Sequence, residues 1–228
     1  MRKFLFTPEV NGVAIQGSDE LFPARRVYCV GRNYADHARE MGHDPDREPP
    51  FFFMKHPDSL LPSGQDMPYP PGTQDVHHEL EMVVALKSGG REIEISHALD
   101  HVYGYAVGLD MTRRDLQAHA KKNGHPWATA KAFDHAAPIS PIAQAAQVGH
   151  PAQGAIELMV NGKTRQSGDL AQMIWSVPEI IAYLSRLFEL KAGDLIYTGT
   201  PAGVGPIQKG DRLEGQIAGV GRLSTKIV

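Results

Sequence analysis

Short apolar runs of strand length, separated by connections that contain glycine and proline, dominate this sequence. The strongest runs cover residues 79–86 and 102–109, and shorter ones cover 27–31 and 51–55. Such runs, bounded by turn-forming residues, predict strands. Residues 57–72 are rich in proline, which cannot supply the backbone donors of a central strand. We therefore expect a β-rich α+β fold with a few short helices.

Three segments carry helix signals. Asn33 is placed to cap a short helix that runs to residue 41. Thr112, followed three residues later by Asp115, resembles a capping box for a helix over residues 112–122. Ser176 and Glu179 start a third helix, whose apolar stripe we assign to the core rather than to a cofactor site.

Two Asn-Gly pairs predict tight turns. The pair at 161–162 predicts a hairpin between residues 156–160 and 163–166, and the pair at 11–12 predicts a turn in a two-stranded lead-in over residues 1–24. No shift of composition marks a linker, so residues 25–228 are expected to form a single domain that carries the site. Residues 43–50 are polar and proline-rich, which fits either a mobile lid or a plain surface loop.

Charge and cysteine content exclude several classes of protein. The formal charge of −3, with acids and bases interspersed, argues against nucleic-acid binding and against a basic membrane-binding patch. The single cysteine, Cys29, excludes an internal disulfide and fits a reducing compartment. No run reaches membrane-spanning length, and residues 1–11 lack the apolar stretch of a signal peptide. We therefore expect a cytoplasmic protein without a membrane partner.

Three acids form a candidate set of metal ligands. Glu79 and Glu81 are two residues apart in a predicted strand and so share a face, and Asp110 follows the next strong strand. Oxygen ligands suit Mg²⁺, Mn²⁺ or Ca²⁺ better than Zn²⁺. Acids two apart are also common on exposed strands. The small residues at 104, 106 and 108, which are expected to leave room beside Asp110, favour the metal site.

Two pairs at helical spacing add polar groups to these acids. His37 and Glu40 are three residues apart, so the carboxylate could orient an imidazole that acts as a general base. A solvated surface pair is the alternative. Arg114 and Gln117 are also three apart, and they would face the open positions of a metal held near Asp110.

Two lysines and a glycine-rich turn are further candidates. Lys131 and Lys55 lie in apolar surroundings, so each either extends outward to solvent or serves an anionic site. The acids elsewhere in the chain favour the second interpretation. Residues 197–205, which include Thr200, form a glycine-rich turn that is either an approach to an anion or only a turn.

Four stretches together resemble the fumarylacetoacetate hydrolase superfamily. They are Val30-Gly31-Arg32-Asn33-Tyr34-Ala35-Asp36-His37, His78-Glu79-Leu80-Glu81, Gly108-Leu109-Asp110-Met111-Thr112-Arg113-Arg114-Asp115-Leu116-Gln117 and Thr198-Gly199-Thr200-Pro201. Residues 41–53 look most like bacterial fumarylpyruvate hydrolases of the gentisate route for aromatic breakdown. The chain is also similar to acylpyruvases and oxaloacetate decarboxylases of the same superfamily.

The resemblance implies a metal-dependent enzyme with a mixed β-sandwich roll, assembled as a homodimer. The implied reaction is hydrolysis of a carbon–carbon bond in an acylpyruvate, with fumarylpyruvate giving fumarate and pyruvate. The implied roles are Mg²⁺ or Mn²⁺ ligands (Glu79, Glu81, Asp110), a water-activating dyad (His37, Glu40), groups around the reacting oxygens (Lys131, Gln117, Arg114) and substrate-pocket residues (Lys55, Thr200). Arg47 and Arg32 are candidates for binding the far carboxylate of fumarylpyruvate.

Two alternatives remain open on the sequence. Decarboxylation of oxaloacetate needs the same chelation of an α-keto acid and the same stabilisation of an enolate, but no attacking water. A non-catalytic β-rich protein could instead hold structural Ca²⁺ through the same acids. Lys131 and the pair formed by His37 and Glu40 argue against that alternative, because a structural calcium site does not need them.

Overall fold

The computed structural model describes residues 5–7, 9–40 and 48–228. Residues 41–47, which contain Arg47, most of the predicted lid or loop and the end of the first predicted helix, lie outside the described residues. The strands are β1 (Gly12–Ala14), β2 (Leu21–Pro23), β3 (Arg26–Gly31), β4 (Phe51–Lys55), β5 (Leu60–Pro62), β6 (Val76–His78), β7 (Leu80–Leu86), β8 (Val102–Leu109), β9 (Thr112–Arg113), β10 (Ala137–Ile139), β11 (Ala143–Gln144), β12 (Ala155–Val160), β13 (Lys163–Asp169), β14 (Asp194–Tyr197), β15 (Gly205–Ile207), β16 (Arg212–Ile217) and β17 (Gly221–Lys226).

Helices are short and few among the described residues. The α-helices are α1 (Ala35–Glu40), α2 (Arg114–Asn123), α3 (Ala128–Lys131), α4 (Ala145–Val148) and α5 (Val177–Leu187). The 3₁₀ helices in the described ranges are Pro57–Ser59, Ile95–His101 and Leu170–Gln172. Within the described ranges, no helix combines the length and the apolar character needed to cross a membrane.

The central sheet is mixed and has the strand order β4-β3-β14-β7-β8-β10-β5, with β11 also paired to β8. The pairs β3/β14 and β5/β10 are parallel, and β7 is antiparallel to both β14 and β8. Every residue of β7 is buried. A strand that is covered on both faces needs apolar residues in near-continuous runs, which explains the strong strand signal at 79–86.

Both faces of the central sheet are covered. One face packs on the four-stranded sheet β13-β12-β16-β17, and Leu80 and Leu213 lie in the core between them. A Cβ atom at Gly215 of β16 would lie 2.5 Å from Leu80 Cδ1, so glycine permits this close approach. Val83, on the opposite face, packs with Val13 of the N-terminal hairpin. The predicted β-rich α+β fold of sandwich type is therefore confirmed.

The small residues of β8 do not leave the open space that the sequence predicted. A Cβ at Gly104 would lie 2.2 Å from the carbonyl oxygen of Ala143, and a Cβ at Gly108 would lie 2.6 Å from Tyr197 Cε1. These glycines instead allow neighbouring strands and a buried ring to pack closely. That expectation was wrong.

The predicted hairpins form, with one correction. Asn161 and Gly162 have φ angles of 53° and 72°, the left-handed conformation of a tight turn, and they join β12 to β13. β1 and β2 pair as a two-stranded lead-in, but Gly12 lies inside β1 opposite Pro23. The turn therefore lies between residues 15 and 20, not at 11–12. The boundary between residues 1–24 and 25–228 stays a prediction.

One predicted helix cap is confirmed and two are wrong. Glu179 accepts hydrogen bonds from the backbone N–H and the hydroxyl of Ser176 at the start of α5. Asn33 lies before α1, and its side chain donates to the carbonyl of Thr198 at 2.7 Å, tying β3 to the end of β14. Thr112 belongs to β9, and no side chain caps α2.

Candidate metal centre and active site

The pairing of β7 with β8 brings three acids together at one end of the central sheet. Leu80 is opposite Leu109, so Glu79 and Asp110, which flank this pair, are adjacent, and the N–H of Asp110 donates to the carbonyl of Glu79 at 2.8 Å. Ligand oxygens of Glu79, Glu81 and Asp110 lie within 4.8 Å of one another. The three residues are at most 5% exposed. They form the acid triad.

Lys131 balances part of this charge. It is the last residue of α3, and its Nζ donates to Glu79 Oε2 at 2.8 Å, Asp110 Oδ2 at 2.7 Å and Thr112 Oγ1 at 2.6 Å. These bonds use all three ammonium hydrogens. Lys131 therefore does not extend outward to solvent, and its contacts match the interpretation that it serves an anionic site.

Lys55 lies behind the triad. It ends β4, its side chain is fully buried, and its Nζ is 2.8 Å from Asp110 Oδ1. The same ammonium donates to the carbonyls of Met111 at 3.1 Å and of Lys131. Lys55 thus connects the end of β4 to the residue after Asp110 and to the last residue of α3. The structure does not bring it to the surface of the cavity described below, and its predicted role in substrate binding is untested.

Arg114 and Gln117 share one face of α2, as their spacing predicted. Arg114 Nη2 lies 2.5 Å from Glu79 Oε1, and its Nη1 donates to Gln117 Oε1 at 2.6 Å. This bond fixes which way the Gln117 amide is turned: its oxygen faces Arg114, and its nitrogen, the only donor of the side chain, points away from that guanidinium.

His37 and Glu40 form the predicted pair on α1. His37 Nδ1 lies 3.4 Å from Glu40 Oε2, and Glu40 also accepts from the N–H of Gly203 at 3.2 Å. His37 is only 7% exposed, so a solvated surface pair does not describe it. Burial lowers the pKa of His37 below its ordinary value, although the charges of Glu79 and Glu40 oppose this shift.

Glu79 and Glu81 have opposite electrostatic environments. Burial, followed by the nearby Asp110 and Glu79, raises the pKa of Glu81 well above its usual range. Burial also acts to raise the pKa of Glu79, but Lys131 and Arg114 outweigh it and hold this pKa below its ordinary value. Of these two acids, Glu81 is therefore the one whose ionised form needs a further cation.

Eight of the ten predicted site residues line one cavity. The exceptions are Lys55 and Glu40, which do not line the cavity but contact the lining residues Asp110 and His37, respectively. The eight are His37, Glu79, Glu81, Asp110, Arg114, Gln117, Lys131 and Thr200. Residues that lie far apart in the sequence thus converge, while their individual roles stay predictions.

Gln166 of β13 supports this cavity and was missed in the sequence. Its Oε1 accepts from the N–H of Leu80 at 3.0 Å and lies 3.1 Å from His78 Nδ1. Its Nε2 donates to Thr200 Oγ1 at 2.7 Å and to the carbonyl of Pro201 at 2.9 Å. Gln166 is 86 residues from Leu80 along the chain, so no local spacing could have indicated this contact.

The triad suits a hard divalent cation. Asp110 Oδ1 is buried and makes no hydrogen bond, because its contact with Lys55 lacks hydrogen-bond geometry. Glu81 Oε2 accepts from the N–H of Gly199 at 2.7 Å, and no cationic side chain among the described residues pairs with Glu81. Carboxylate oxygens with unused lone pairs are the ligands that Mg²⁺ and Mn²⁺ prefer.

Comparison with known proteins places the chain in a family. Residues 26–228 match the family model described as fumarylacetoacetate (FAA) hydrolase C-terminal. The chain therefore belongs to the fumarylacetoacetate hydrolase family, as its motifs predicted.

Individual relatives fall into two groups. A crystal structure of fumarylpyruvate hydrolase from Pseudomonas aeruginosa, in complex with Mn²⁺ and pyruvate, is 54% identical, with a TM-score of 0.97 over 99% of each chain. Oxaloacetate tautomerase YcgM of Escherichia coli is 43% identical over 87% of this chain and 90% of its own. Oxaloacetate tautomerase FAHD1, mitochondrial, of Homo sapiens is 41% identical over 89% of this chain and 91% of its own. The chain is thus similar to enzymes that act on small molecules.

The fit of the triad to a divalent cation predicts the effect of Glu81→Gln. This change keeps an oxygen that can accept from Gly199 but removes one ligand charge. We expect it to weaken Mn²⁺ binding at least about 100-fold, as measured by isothermal titration calorimetry. Glu214→Gln, a change on β16 away from the triad, is the control and should bind Mn²⁺ like the unchanged protein. Equal affinities of both variants would contradict the assignment of Glu81 as a ligand.

Proposed function

We propose that this protein is a metal-dependent hydrolase that cleaves a carbon–carbon bond in an acylpyruvate, with fumarylpyruvate as substrate and fumarate and pyruvate as products. The observation that carries the proposal is the presence of a buried imidazole, His37, on the same cavity as the acid triad. A hydrolase needs such a base to activate water. The similarity to the Pseudomonas aeruginosa enzyme, which was crystallised with Mn²⁺ and pyruvate, supports the choice of substrate.

The triad of Glu79, Glu81 and Asp110 would hold Mg²⁺ or Mn²⁺. When bound, such a cation supplies Lewis-acid stabilisation of negative charge on the keto-acid end of the substrate. The protein's part is to fix the three acids on the central sheet. Lys131 lies 2.8 Å from Glu79 and 2.7 Å from Asp110, and Lys55 lies 2.8 Å from Asp110, so the two ammonium groups offset the charges of two buried carboxylates.

His37 activates the attacking water. Because its Nδ1 faces Glu40, this nitrogen carries the hydrogen and Nε2 is left to take a proton from water. The resulting hydroxide attacks the acyl carbonyl carbon, and the bond from that carbon to the methylene of the pyruvate unit breaks. The bonding electrons stay with the pyruvate unit, which takes up a proton to give pyruvate, and the acyl part leaves as fumarate.

Gln117 and Lys131 are the proposed donors to the oxygen that becomes negative during attack. Arg114 donates to the amide oxygen of Gln117, and the amide nitrogen has no hydrogen-bond partner among the described residues. Lys131 bonds to three protein acceptors, so it must exchange one of them for the substrate oxygen. Loss of one donor of this kind typically costs about 10²-fold to 10³-fold in turnover. As the resemblance implies, the proposed enzyme serves aromatic breakdown and works as a homodimer.

A second candidate function is chemistry on oxaloacetate. The Escherichia coli and human relatives are both named oxaloacetate tautomerases. Tautomerisation, like the decarboxylation considered above, uses an α-keto acid and an enol or enolate, but neither reaction needs an attacking water. A direct comparison of substrates therefore separates these activities from hydrolysis.

The proposed function predicts a substrate order. The protein with Mg²⁺ should hydrolyse fumarylpyruvate faster than acetylpyruvate, and oxaloacetate should be a poor substrate in assays of pyruvate release. His37→Ala should lower hydrolysis at least about 100-fold and leave Mn²⁺ affinity unchanged, because the base is removed and the triad is not. His97→Ala, at an exposed histidine, is the matched control. Near-normal hydrolysis by His37→Ala would rule out the proposed base.

The environment of His37 also predicts a pH dependence. Since only the neutral imidazole takes a proton, kcat/KM should fall as the pH drops through the pKa of His37, which burial keeps below the ordinary value near 6.5. Glu40 raises this pKa, so Glu40→Gln should lower it and move the acid limb to lower pH. The measurement is the pH profile of kcat/KM for fumarylpyruvate. An acid limb that stays in place or moves to higher pH would contradict the dyad.

A further inference from the structure

Among the described residues, two cationic side chains at the mouth of the cavity form no ion pair with the acid triad. Arg32 and Lys121 both line the cavity. In the part of the chain that the structure describes, neither forms an ion pair with a carboxylate. Arg32 is half-buried and Lys121 is exposed, whereas Asp110 and Lys131 at the floor are at most 2% exposed. The cavity thus runs from a charge-balanced floor to a positively charged mouth.

Aromatic rings hold these two cations. The guanidinium carbon of Arg32 lies 5.3 Å from the centre of the Phe51 ring, and Lys121 Nζ lies 5.2 Å from the centre of the Trp127 ring. The two rings contact each other edge to face, with their centres 5.6 Å apart. A ring attracts a cation without cancelling its charge. Both cations therefore remain available to an anionic ligand.

The backbone conformation at Gly31 and Arg32 allows Arg32 to lie over the Phe51 ring. Arg32 has a φ angle of 57°, a left-handed conformation that is uncommon for a residue other than glycine. A Cβ at Gly31 would lie 2.1 Å from Phe51 Cζ, so only glycine lets the ring lie over the end of β3. Strained conformations of this kind concentrate at ligand-binding sites.

The electrostatics of Lys121 agree with an excess of positive charge at the mouth. Partial burial lowers the pKa of Lys121, and the charges of Arg114 and Arg32 lower it further. An anion that bound between Arg32 and Lys121 would relieve this repulsion. Such an anion would lie beside the more exposed lining residues, whereas the acid triad is buried.

We propose that Arg32 and Lys121 bind the distal carboxylate of the substrate, so that the cavity selects acylpyruvates that carry a second acid group at the acyl end. This inference rests on the proposed function. With the keto-acid end at the triad, an extended acyl chain directs its terminal carboxylate to the mouth. Acetylpyruvate has no such group. The second carboxylate of oxaloacetate directly follows the methylene beside the keto carbon, so it is too close to the keto acid to reach the mouth.

The test compares two substrates that differ at the acyl end. In Lys121→Met and Arg32→Met, kcat/KM for fumarylpyruvate should fall about tenfold, mainly through a higher KM, because one exposed charge-assisted contact is lost. In the same variants, kcat/KM for acetylpyruvate should stay within about twofold of the unchanged protein. Lys121→Glu should lower the fumarylpyruvate value further, because it repels the carboxylate. Lys122→Met, at the next residue of α2, is the control and should leave both values unchanged.

Two results would overturn the proposal. One is an equal loss for both substrates in Lys121→Met and Arg32→Met, which would mean that the cations act on the reaction in general. The other is an unchanged value for fumarylpyruvate in both variants. Lys121 lies on the exposed surface of α2, so its variants should fold even if a change at Arg32 disturbs the chain.

A binding measurement separates this proposal from the proposed function. If the unchanged protein hydrolyses neither acylpyruvate, the hydrolase assignment fails, and calorimetry then compares fumarate with crotonate, which lacks the second carboxylate. A preference for fumarate that is lost in Lys121→Met and kept in Lys122→Met would support the carboxylate site. No preference in the unchanged protein, or a preference that survives in Lys121→Met, would overturn it.

Discussion

Three carboxylates are buried together at one end of the central sheet, and the surrounding structure compensates their charge. Leaving one buried charge without a partner typically costs about 3–5 kcal/mol, so the acids require cations close by. Lys131 and Arg114 reach Glu79 from two different helices, and Lys55 reaches Asp110 from β4. These contacts tie α2 and α3 to the central sheet and connect its edge strand β4 to the end of β8. Glu81 pairs with no cationic side chain in the described part of the chain, and a divalent cation would supply the missing charge.

The site divides its tasks between rigid and peripheral elements. The acids lie on or beside β7 and β8, which pack closely on both faces and so fix the ligand oxygens. The groups proposed to accept the proton and to stabilise the negative oxygen, His37 and Gln117, come from the helices α1 and α2. The groups proposed to select the substrate, Arg32 and Lys121, lie at the mouth of the cavity. Substitutions at the mouth of the cavity are therefore expected to alter substrate preference while the keto-acid chemistry stays the same.

Much of this arrangement could be predicted from the sequence, for identifiable reasons. The strong strands and the Asn-Gly turn at 161–162 follow from local patterns, and the spacing of Glu79 and Glu81 follows from the two-residue period of a strand. The caps at Asn33 and Thr112 were mispredicted because tertiary contacts took over their side chains. The positions of Gln166 and of the aromatic residues Phe51 and Trp127 depend on contacts between distant segments, which no local spacing reveals. The resemblance to a family supplied the roles of the site residues, since composition and spacing alone left them open.

The proposed activity depends on a divalent cation bound by all three acids. The most direct measurement is anomalous diffraction at the manganese absorption edge, from crystals grown with Mn²⁺. We expect an anomalous peak at about 2 Å from carboxylate oxygens of Glu79, Glu81 and Asp110. Full occupancy of Mn²⁺ at another position, with the triad bound only to Lys55, Lys131 and Arg114, would contradict it.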